Sequence, residues 1–293
     1  MERFTIRDIE NLSQIKAHTL RIWEQRYNFF TAKRKDSLHR YYDAQDLQVL
    51  LQVAFLYHGG MKISHIAALD ESGRLAAIGR IQQRGGVAEQ EIVALVQSAS
   101  AFDERRFRSQ LKRLVEQKGL EAAVLEVFFP FLQRIGHLWL TNHVIPAQEH
   151  FASYLIQNKI ISETDSLPAT TPSRPPIVVL TPRGEHHELP ILFINYLLRS
   201  HGWEVIYLGT GVSVPDLPPS VTERSDCFYI HLITNLSGQS ADDYFATVCK
   251  AFPDKTFVVS GSATLGMQRH FRNLVPLRSD DAILQFIRKG LPG

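Results

Sequence analysis

Two residues in the second half of the chain have the types and the spacing of a metal-ligating pair. In the segment "TPRGEHHELP", Glu185 precedes His187 by two positions. A neutral imidazole is a good ligand for a transition metal. A nearby carboxylate can accept a hydrogen bond from the other ring nitrogen, which fixes the tautomer and raises the basicity of the ligating nitrogen. The same composition also fits a polar loop with two exposed histidines, so both interpretations stay open.

A second stretch with possible chemistry is "HLWLTNHVIPAQEHFAS", which holds an indole, a carboxylate and an imidazole. Pro146 should break the helix between Trp139 and Glu149, so these two residues need not obey the geometry of a single helix. Both could then face one ligand, with His150 next to Glu149. The simpler interpretation is a core tryptophan with two surface polar residues.

A third feature is a cluster of positive charge near the N-terminus. Residues 16–40 contain seven Lys and Arg against two acids, a local charge of +5, whereas the whole chain carries only +2. A local basic patch on a nearly neutral protein indicates one anionic partner bound at one place. The alternative is a solvated basic face.

Composition excludes several classes of protein. A hydrophobic content of 44% with 21% charged residues is ordinary for a soluble globular chain of 293 residues, which predicts about two domains. No apolar run is long enough to span a membrane, and the N-terminus lacks the apolar segment of a signal peptide. Cys227 and Cys249 do not form a disulfide framework or a cysteine-based metal site. We therefore expect a cytoplasmic protein.

The elements that must position these residues fall into three predicted domains joined by one linker. Residues 1–70 show short helical patterns, and residues 75–162 continue with the spacing of amphipathic helices. Residues 163–176 hold four prolines with Ser and Thr and are predicted to be a linker. In residues 177–293, the β-branched runs "IVVL", "WEVIYL", "CFYIHLI" and "TFVVSG" alternate with helical stretches, which predicts an α/β, Rossmann-like parallel sheet covered on both sides.

The first 70 residues predict a winged helix-turn-helix. A short helix, a turn near residues 12–15 and a second helix from about Lys16 can place the second helix in a major groove. A basic hairpin follows, whose cations can neutralise phosphates. The predicted DNA-binding residues are Lys16, His18, Thr19 and Arg21 on the helix and Lys33, Arg34, Lys35, His39, Arg40 and Tyr41 on the wing.

The segments "TLRIWEQRY", "HRYY" and "DAQDLQVLLQVAFLYHGGMKISHI" closely resemble the DNA-binding domain of MerR-family transcription regulators, over about residues 3–70. The resemblance assigns Arg40 and Tyr41 to wing contacts. It also implies a dimer bound to double-stranded DNA at a palindromic operator.

The last domain resembles the cobalamin-binding domain of methionine synthase and its relatives. Their motif is Asp/Glu-x-His-x-x-Gly, and the resemblance makes His187 the lower axial ligand of cobalt, with Glu185 behind it. The family's Ser-x-Leu corresponds to Thr234-Asn235-Leu236.

This chain departs from that family around the groove for the nucleotide tail. The glycine of the first motif is Pro190, which has no N–H to donate. The Gly-Gly pair that ends a later strand is replaced by "SGSA", in which Gly261 lies between Ser260 and Ser262. A serine side chain would crowd a tail that passes bare backbone.

The order of all three domains resembles the light-sensing, cobalamin-dependent repressors of the CarH/LitR type, whose helical bundle carries Trp-x9-Glu-His. Trp139 and Glu149-His150 reproduce that spacing. The resemblance implies that the indole covers the upper axial group and that Glu149 bonds the ribose of an adenosyl ligand. In light-sensing members a histidine follows the tryptophan, whereas this chain has Leu140, which cannot ligate cobalt.

These observations lead to two hypotheses. The first is a repressor, a homodimer or tetramer, gated by adenosylcobalamin. The second is a MerR-type regulator whose cobalamin-like domain binds no corrinoid and mediates protein interaction or oligomerisation. An enzyme is not expected, because the DNA-binding block fills the N-terminus and leaves no room for a substrate barrel. The predicted cofactor-binding residues are Trp139, Glu149, His150, Glu185, His187, Thr234, Leu236, Ser260 and Gly261.

Overall fold

The computed structural model describes residues 4–13, 15–27, 32–34, 40–82, 87–140, 145–168, 175–234 and 239–290. The chain forms two compact units, Met1–Lys159 and Ile160–Gly293. Within the described residues, no helix combines the length and the apolar character needed to cross a membrane.

The first unit begins with a helix-turn-helix and a small hairpin. Its elements are α1 (Ile6–Ser13), α2 (Ala17–Tyr27), β1 (Lys33–Arg34), β2 (Arg40–Tyr41), α3 (Ala44–His58), α4 (Ile63–Ala67) and α5 (Glu71–Gln82). The strands β1 and β2 are antiparallel, and Arg34 lies opposite Arg40. α3 begins with a capping box, in which the side chain of Asp43 accepts from the N–H of Asp46 at 3.0 Å and the side chain of Asp46 accepts from the N–H of Asp43 at 3.1 Å.

A hydrophobic core holds these elements together. Leu20 and Trp23, three residues apart on one face of α2, are buried with Leu50 of α3. The ring of Tyr57 meets Trp23 edge-on, with 4.9 Å between the ring centroids. Because burying one such large side chain contributes roughly 1.5–3 kcal/mol, this face fixes how α2 lies on α3 and which residues of α2 remain exposed.

The helical bundle follows. It contains α6 (Val87–Ser100), α7 (Glu104–Lys118), α8 (Leu120–Ala123), a π-helical turn (Val124–Phe128), α9 (Phe129–Leu140) and α10 (Pro146–Asp165). The π turn ends at Phe128, two residues before Pro130. Proline removes one backbone donor and clashes with the preceding turn of an α-helix, so a widened turn just before it accommodates it. Pro146 is the first residue of α10, where a missing N–H costs nothing. α10 extends to Asp165, inside the segment 163–176 that the sequence predicts as linker.

The second unit is a five-stranded parallel sheet with helices on both sides, which confirms the predicted fold class. Its elements are β3 (Ile177–Pro182), α11 (Glu188–Ser200), β4 (Val205–Val212), α12 (Pro219–Thr222), β5 (Cys227–His231), α13 (Ala241–Ala251), β6 (Thr256–Ser260), β7 (Leu274–Pro276) and α14 (Asp280–Lys289). Two 3₁₀ turns, Val214–Asp216 and Ser262–Gly266, complete it. The strand order is β4-β3-β5-β6-β7.

Side chains alternate between the two faces of the sheet. On β5, Phe228 and Ile230 join the core cluster that contains Phe245 of α13. Tyr229 points to the other face, where its ring stacks on Phe286 of α14 with 6.0 Å between the centroids. Parallel strands share the edge at which their carboxyl ends meet, and ligands bind outside that edge in open α/β sheets. The loop Arg183–His187 after β3 and the residues after β5 and β6 therefore lie where a ligand is expected.

Candidate functional site

The second helix of the helix-turn-helix exposes most of the predicted DNA-binding face. His18 and Arg21 are exposed and Thr19 is half-buried, while the intervening Leu20 is fully buried. The hydroxyl of Thr19 lies 3.3 Å from Nε2 of His18. This alternation follows directly from the helical period, since the core takes one face of α2 and leaves the other to a partner.

Lys16 has a partner inside the domain. Its Nζ lies 3.1 Å from Oε1 of Glu10, and Oε2 of the same carboxylate accepts the N–H of Ala17 at 3.0 Å. Glu10 thus satisfies one of the unpaired backbone donors at the start of α2.

Lys33 of the wing is also paired within the domain. Its Nζ contacts the carboxylates of Asp43 and Asp46, the latter at 3.2 Å. The hydrogen bond from Lys33 lowers the pKa of Asp43 to about 2, and the same contact raises the pKa of Lys33. Lys33 therefore ties the hairpin to the N-terminus of α3.

The other wing residues are only partly within the described part of the chain. Arg34 and Arg40 are placed by their backbone in β1 and β2, and Tyr41 of β2 is half-buried. Lys35 and His39, both predicted to bind DNA, lie outside the described residues.

In the sheet unit, the loop after β3 places Glu185 behind His187. The carboxylate of Glu185 is fully buried, and its Oε1 lies 2.5 Å from Nδ1 of His187 and accepts the N–H of the same residue at 3.0 Å. Its Oε2 accepts the backbone N–H groups of Ile233 and Thr234 at 2.7 and 2.6 Å. One side chain therefore joins the loop after β3 to the residues after β5.

The contacts of Glu185 decide its charge and the tautomer of His187. Burial alone would raise the pKa of Glu185, but the hydrogen bonds from the ring and backbone of His187 and from the N–H of Thr234 outweigh it and hold that pKa below its ordinary value. An ionised carboxylate only accepts, so Nδ1 of His187 carries a proton, and in the neutral ring Nε2 is the nitrogen with the lone pair. The side chain of His187 is 45% exposed. This is the arrangement of a histidine prepared to ligate a metal.

Thr234 and Gly261 lie at the same end of the sheet. The Oγ1 atom of Thr234 is buried and has no hydrogen-bond partner among the described residues. Gly261 has φ of +99°, and a Cβ atom there would lie 2.3 Å from the carbonyl oxygen of Leu232, so only glycine fits. Leu236, the third residue of the predicted Ser-x-Leu element, lies outside the described residues.

The residues that depart from the family pattern are accommodated locally. Pro190 lies in the first turn of α11, where backbone N–H groups have no intrahelical partner. The hydroxyl of Ser262 donates to the carbonyl of Ile233 at 3.2 Å. The hydroxyl of Ser260 is fully buried and joins Tyr229 and His231, at 2.6 Å from the Tyr229 hydroxyl and 2.8 Å from Nδ1 of His231. We call Tyr229, His231 and Ser260 the strand-end cluster.

The strand-end cluster was not predicted from the sequence, although a signal for it exists. Tyr229 and His231 alternate with Phe228 and Ile230 in "CFYIHLI", so two polar side chains share one face of a strand whose composition predicts burial. Burial lowers the pKa of His231 to about 4 and keeps its ring neutral. Two buried polar groups on one face require partners, and Ser260 on the neighbouring strand supplies them.

In the helical bundle, Trp139 and Leu140 lie at the end of α9, and Glu149 lies in the first turn of α10. The two residues of the Trp-x9-Glu spacing are therefore on separate helices, as Pro146 predicts. Glu149 is half-buried, and its Oε2 lies 3.2 Å from Nδ1 of His150, whose side chain is 80% exposed.

The sheet unit also contains a cavity of about 660 Å³ along the outer side of α11. Its wall includes Asp165, Arg199 and Tyr207 but neither His187 nor Thr234. It is thus separate from the carboxyl-end site. Among the described residues, no group of three or more His, Cys, Asp and Glu side chains could hold a metal ion by itself. A single histidine is sufficient for a group that brings its own metal.

Comparison with known families defines the class of protein. Residues 4–72 match the family described as "MerR HTH family regulatory protein", and residues 92–161 match the one described as "B12 binding domain". The chain is a MerR-type transcription regulator with a DNA-binding helix-turn-helix and a B12 binding domain. The second match covers the helices that carry Trp139 and Glu149, whereas Glu185 and His187 lie outside both matched regions.

Two curated relatives share most of the chain's length. The HTH-type transcriptional repressor CarH of Myxococcus xanthus is 26% identical over 249 residues, which cover 83% of each chain. The HTH-type transcriptional repressor CarA of the same organism is 24% identical over 290 residues, covering 93% of this chain and 90% of the relative. Both are repressors by name, in agreement with the prediction that the chain is not an enzyme.

Among solved structures, the Methanosarcina barkeri monomethylamine corrinoid protein covers 69% of this chain and 99% of its own, at 10% identity and a TM-score of 0.49. The strand order of the sheet unit, rather than this likeness, defines its fold.

Proposed function

We propose that the chain is a transcriptional repressor whose operator binding is controlled by a corrinoid, with His187 as the lower axial ligand of cobalt. The observation that carries this proposal is the contact of His187 with the buried, ionised carboxylate of Glu185. Because Glu185 is also held by the backbone of Ile233 and Thr234, the imidazole is oriented before any ligand arrives. The buried hydroxyl of Thr234, which has no hydrogen-bond partner among the described residues, fits the same site, since a bound ligand could supply one.

The proposed cofactor is adenosylcobalamin, which supplies a light-sensitive cobalt–carbon bond when bound. Trp139 would cover the upper axial group, and Glu149 with His150 would hold the adenosyl ribose. A ligand shifts a protein toward the conformation that it binds better, so occupancy can change assembly between a dimer and a tetramer and with it the affinity for a palindromic operator. These assignments follow the Trp-x9-Glu-His spacing that the chain shares with the resembled cobalamin-dependent repressors.

The visible absorption spectrum tests this proposal directly. Purified full-length protein is incubated in darkness with adenosylcobalamin and passed through gel filtration, and the retained corrinoid is measured. We expect retained corrinoid whose visible spectrum is changed in His187→Ala, together with a large loss of affinity. The matched control is His186→Ala, because His186 is the exposed neighbour of His187. Retention that is equal in the two variants would remove His187 from the site.

The second candidate is a regulator whose sheet domain binds no corrinoid and serves oligomerisation. The strand-end cluster favours it, because Ser260 fills space that the resembled family leaves to bare glycine. Wild-type protein that retains no corrinoid at all in the same experiment would exclude the first function and favour this one.

A further inference from the structure

On the face of the sheet beneath α14, side chains of the described residues pack closely against one another near the ends of β5 and β6. Tyr229 is fully buried, its hydroxyl is bonded to Ser260, and its ring stacks on Phe286. Nδ1 of His231 shares the same serine oxygen. To insert a ring between these residues, the protein would have to separate hydrogen-bonded groups that water cannot reach, which is costly in a low-dielectric interior.

The neighbouring strand end is equally closed. Ala263 donates its N–H to the carbonyl of Leu232 at 3.1 Å, and Leu232 donates its own to the carbonyl of Ser260 at 2.9 Å. A single added methyl group at Gly261 would lie 2.3 Å from the carbonyl oxygen of Leu232. The residues after β5 therefore press directly on the end of β6, at the position where the resembled domains leave a groove for the nucleotide tail.

The ligating nitrogen of the axial site is accessible despite this closure. Nε2 of His187 is turned away from Glu185, and the side chain is 45% exposed. The site thus offers a ligating nitrogen at the surface and a filled interior behind it.

From these two features we propose that the sheet unit binds the corrin ring through His187 and leaves the nucleotide tail outside, so that its ligand class is corrinoids in general, including cobinamide, which lacks the nucleotide. This inference rests on the proposed function, since it requires that a corrinoid binds. It differs from the resembled family, in which the tail enters the domain.

The proposal predicts a sign for the difference between two ligands. In free cobalamin the benzimidazole can occupy the lower axial position of cobalt and compete with His187, whereas cobinamide has no such internal competitor. If the displaced benzimidazole gains no buried contacts, cobinamide should bind at least as tightly as cobalamin. If the tail enters the interior, cobalamin should bind much more tightly than cobinamide, by about tenfold for each ~1.4 kcal/mol that the buried tail contributes.

The experiment is a titration of the full-length protein with hydroxocobalamin and with aquacobinamide, followed by the visible spectrum. We expect a dissociation constant for cobinamide equal to or below that for cobalamin, and a similar loss of both ligands in His187→Ala. A cobalamin affinity more than about tenfold above that for cobinamide overturns this inference and leaves the proposed function standing. If neither corrinoid binds, both are wrong.

A second variant strengthens the test. Ser260→Gly removes the hydroxyl that joins Tyr229 to His231 and restores the residue type that leaves space for a tail. We expect the ratio of cobalamin to cobinamide affinity to rise in this variant. If the ratio of cobalamin to cobinamide affinity is already high in the wild type and Ser260→Gly leaves it unchanged, the strand-end cluster does not control entry of the tail and the inference is wrong. The wild-type comparison decides the matter even if the variant fails to fold.

Discussion

Replacing Lys33 and Arg40 by methionine should affect DNA binding in different ways, although both residues are cations of the wing. Nζ of Lys33 lies between the carboxylates of Asp43 and Asp46, so its charge is already compensated within the domain. Arg40 lies opposite Arg34 in the register of the hairpin, and the basic sequence of the wing predicts a phosphate contact for it. We therefore expect Arg40 to contact a phosphate and Lys33 to hold the wing against α3.

The size of the difference follows from counterion release. Each phosphate neutralised on duplex DNA contributes about 0.9 to the slope of log K against log salt. Arg40→Met should reduce the magnitude of that slope by about one unit per bound protomer. When salt rises from about 50 to 200 mM, the variant should therefore lose about 3.5-fold less affinity than the wild type for each phosphate contact removed. Lys33→Met should change the slope by less than about 0.3, because no counterion is released at a paired lysine.

Fluorescence anisotropy on a labelled duplex of arbitrary sequence measures both slopes, since phosphate contacts do not depend on sequence. Lys112→Met is the control for a general loss of charge, because Lys112 is exposed on α7 of the bundle beside Glu116. His18→Ala should instead change the preference between sequences and leave the slope unaltered. If Lys33→Met lowers the slope as much as Arg40→Met, the pairing with Asp43 and Asp46 does not persist on DNA and the argument fails.

Three further predictions concern other parts of the chain. Gly261→Ala should lower the melting temperature far more than Gly211→Ala. Both glycines have positive φ, which costs about 1 kcal/mol for a residue with a Cβ, but only at Gly261 would the added Cβ also meet a backbone atom, at 2.3 Å. Equal shifts of the two melting temperatures in calorimetry would refute this. The pKa of Asp43, about 2, lies below its ordinary value, so its contribution to α3 is present above about pH 4 and is lost as pH falls through about 2; amide exchange in α3 should therefore accelerate over that window in the wild type and not in Asp43→Asn. Green light on the adenosylcobalamin complex should either leave no lasting change or give a state that fresh cofactor reverses in darkness, because Leu140 cannot ligate cobalt. The mass in size exclusion measures this before light, after light and after fresh cofactor is added; a mass that stays altered would show that another histidine takes that position.

The sequence predicts β3, β5 and β6 because these strands are buried on both faces and are therefore mostly apolar. "IVVL" and "TFVVSG" correspond to β3 and β6 nearly residue for residue. β7 was not predicted, because it has only three residues, is partly exposed and ends in Pro276. β4 extends to Val212, past the run "WEVIYL", through glycines at positive φ that no strand pattern indicates, and its pairing with β3 is irregular there.

For the candidate site, the sequence predicts only contacts between residues that are close together in the chain. Glu185 and His187 lie two residues apart, so their contact could be expected from the sequence. The other oxygen of Glu185 binds the N–H of Ile233, which is 48 residues away, and nothing in a single sequence marks that contact. The same limit applies to Lys33. The basic segment around it indicated a phosphate contact, but its partners Asp43 and Asp46, at the start of α3, become its neighbours only after the hairpin folds.

The double role of Glu185 determines which substitution can test the axial site. Its Oε2 accepts two backbone N–H groups, so in Glu185→Gln the amide nitrogen would face donors on one side or Nδ1–H of His187 on the other. Either orientation leaves a buried donor unsatisfied, which costs about 1–3 kcal/mol, and the residues after β5 would shift together with the imidazole. A loss of corrinoid affinity in that variant therefore mixes ligand geometry with fold. His187→Ala leaves both contacts of Oε2 in place, which is why the assignment of the axial ligand depends on His187 and on its exposed neighbour His186.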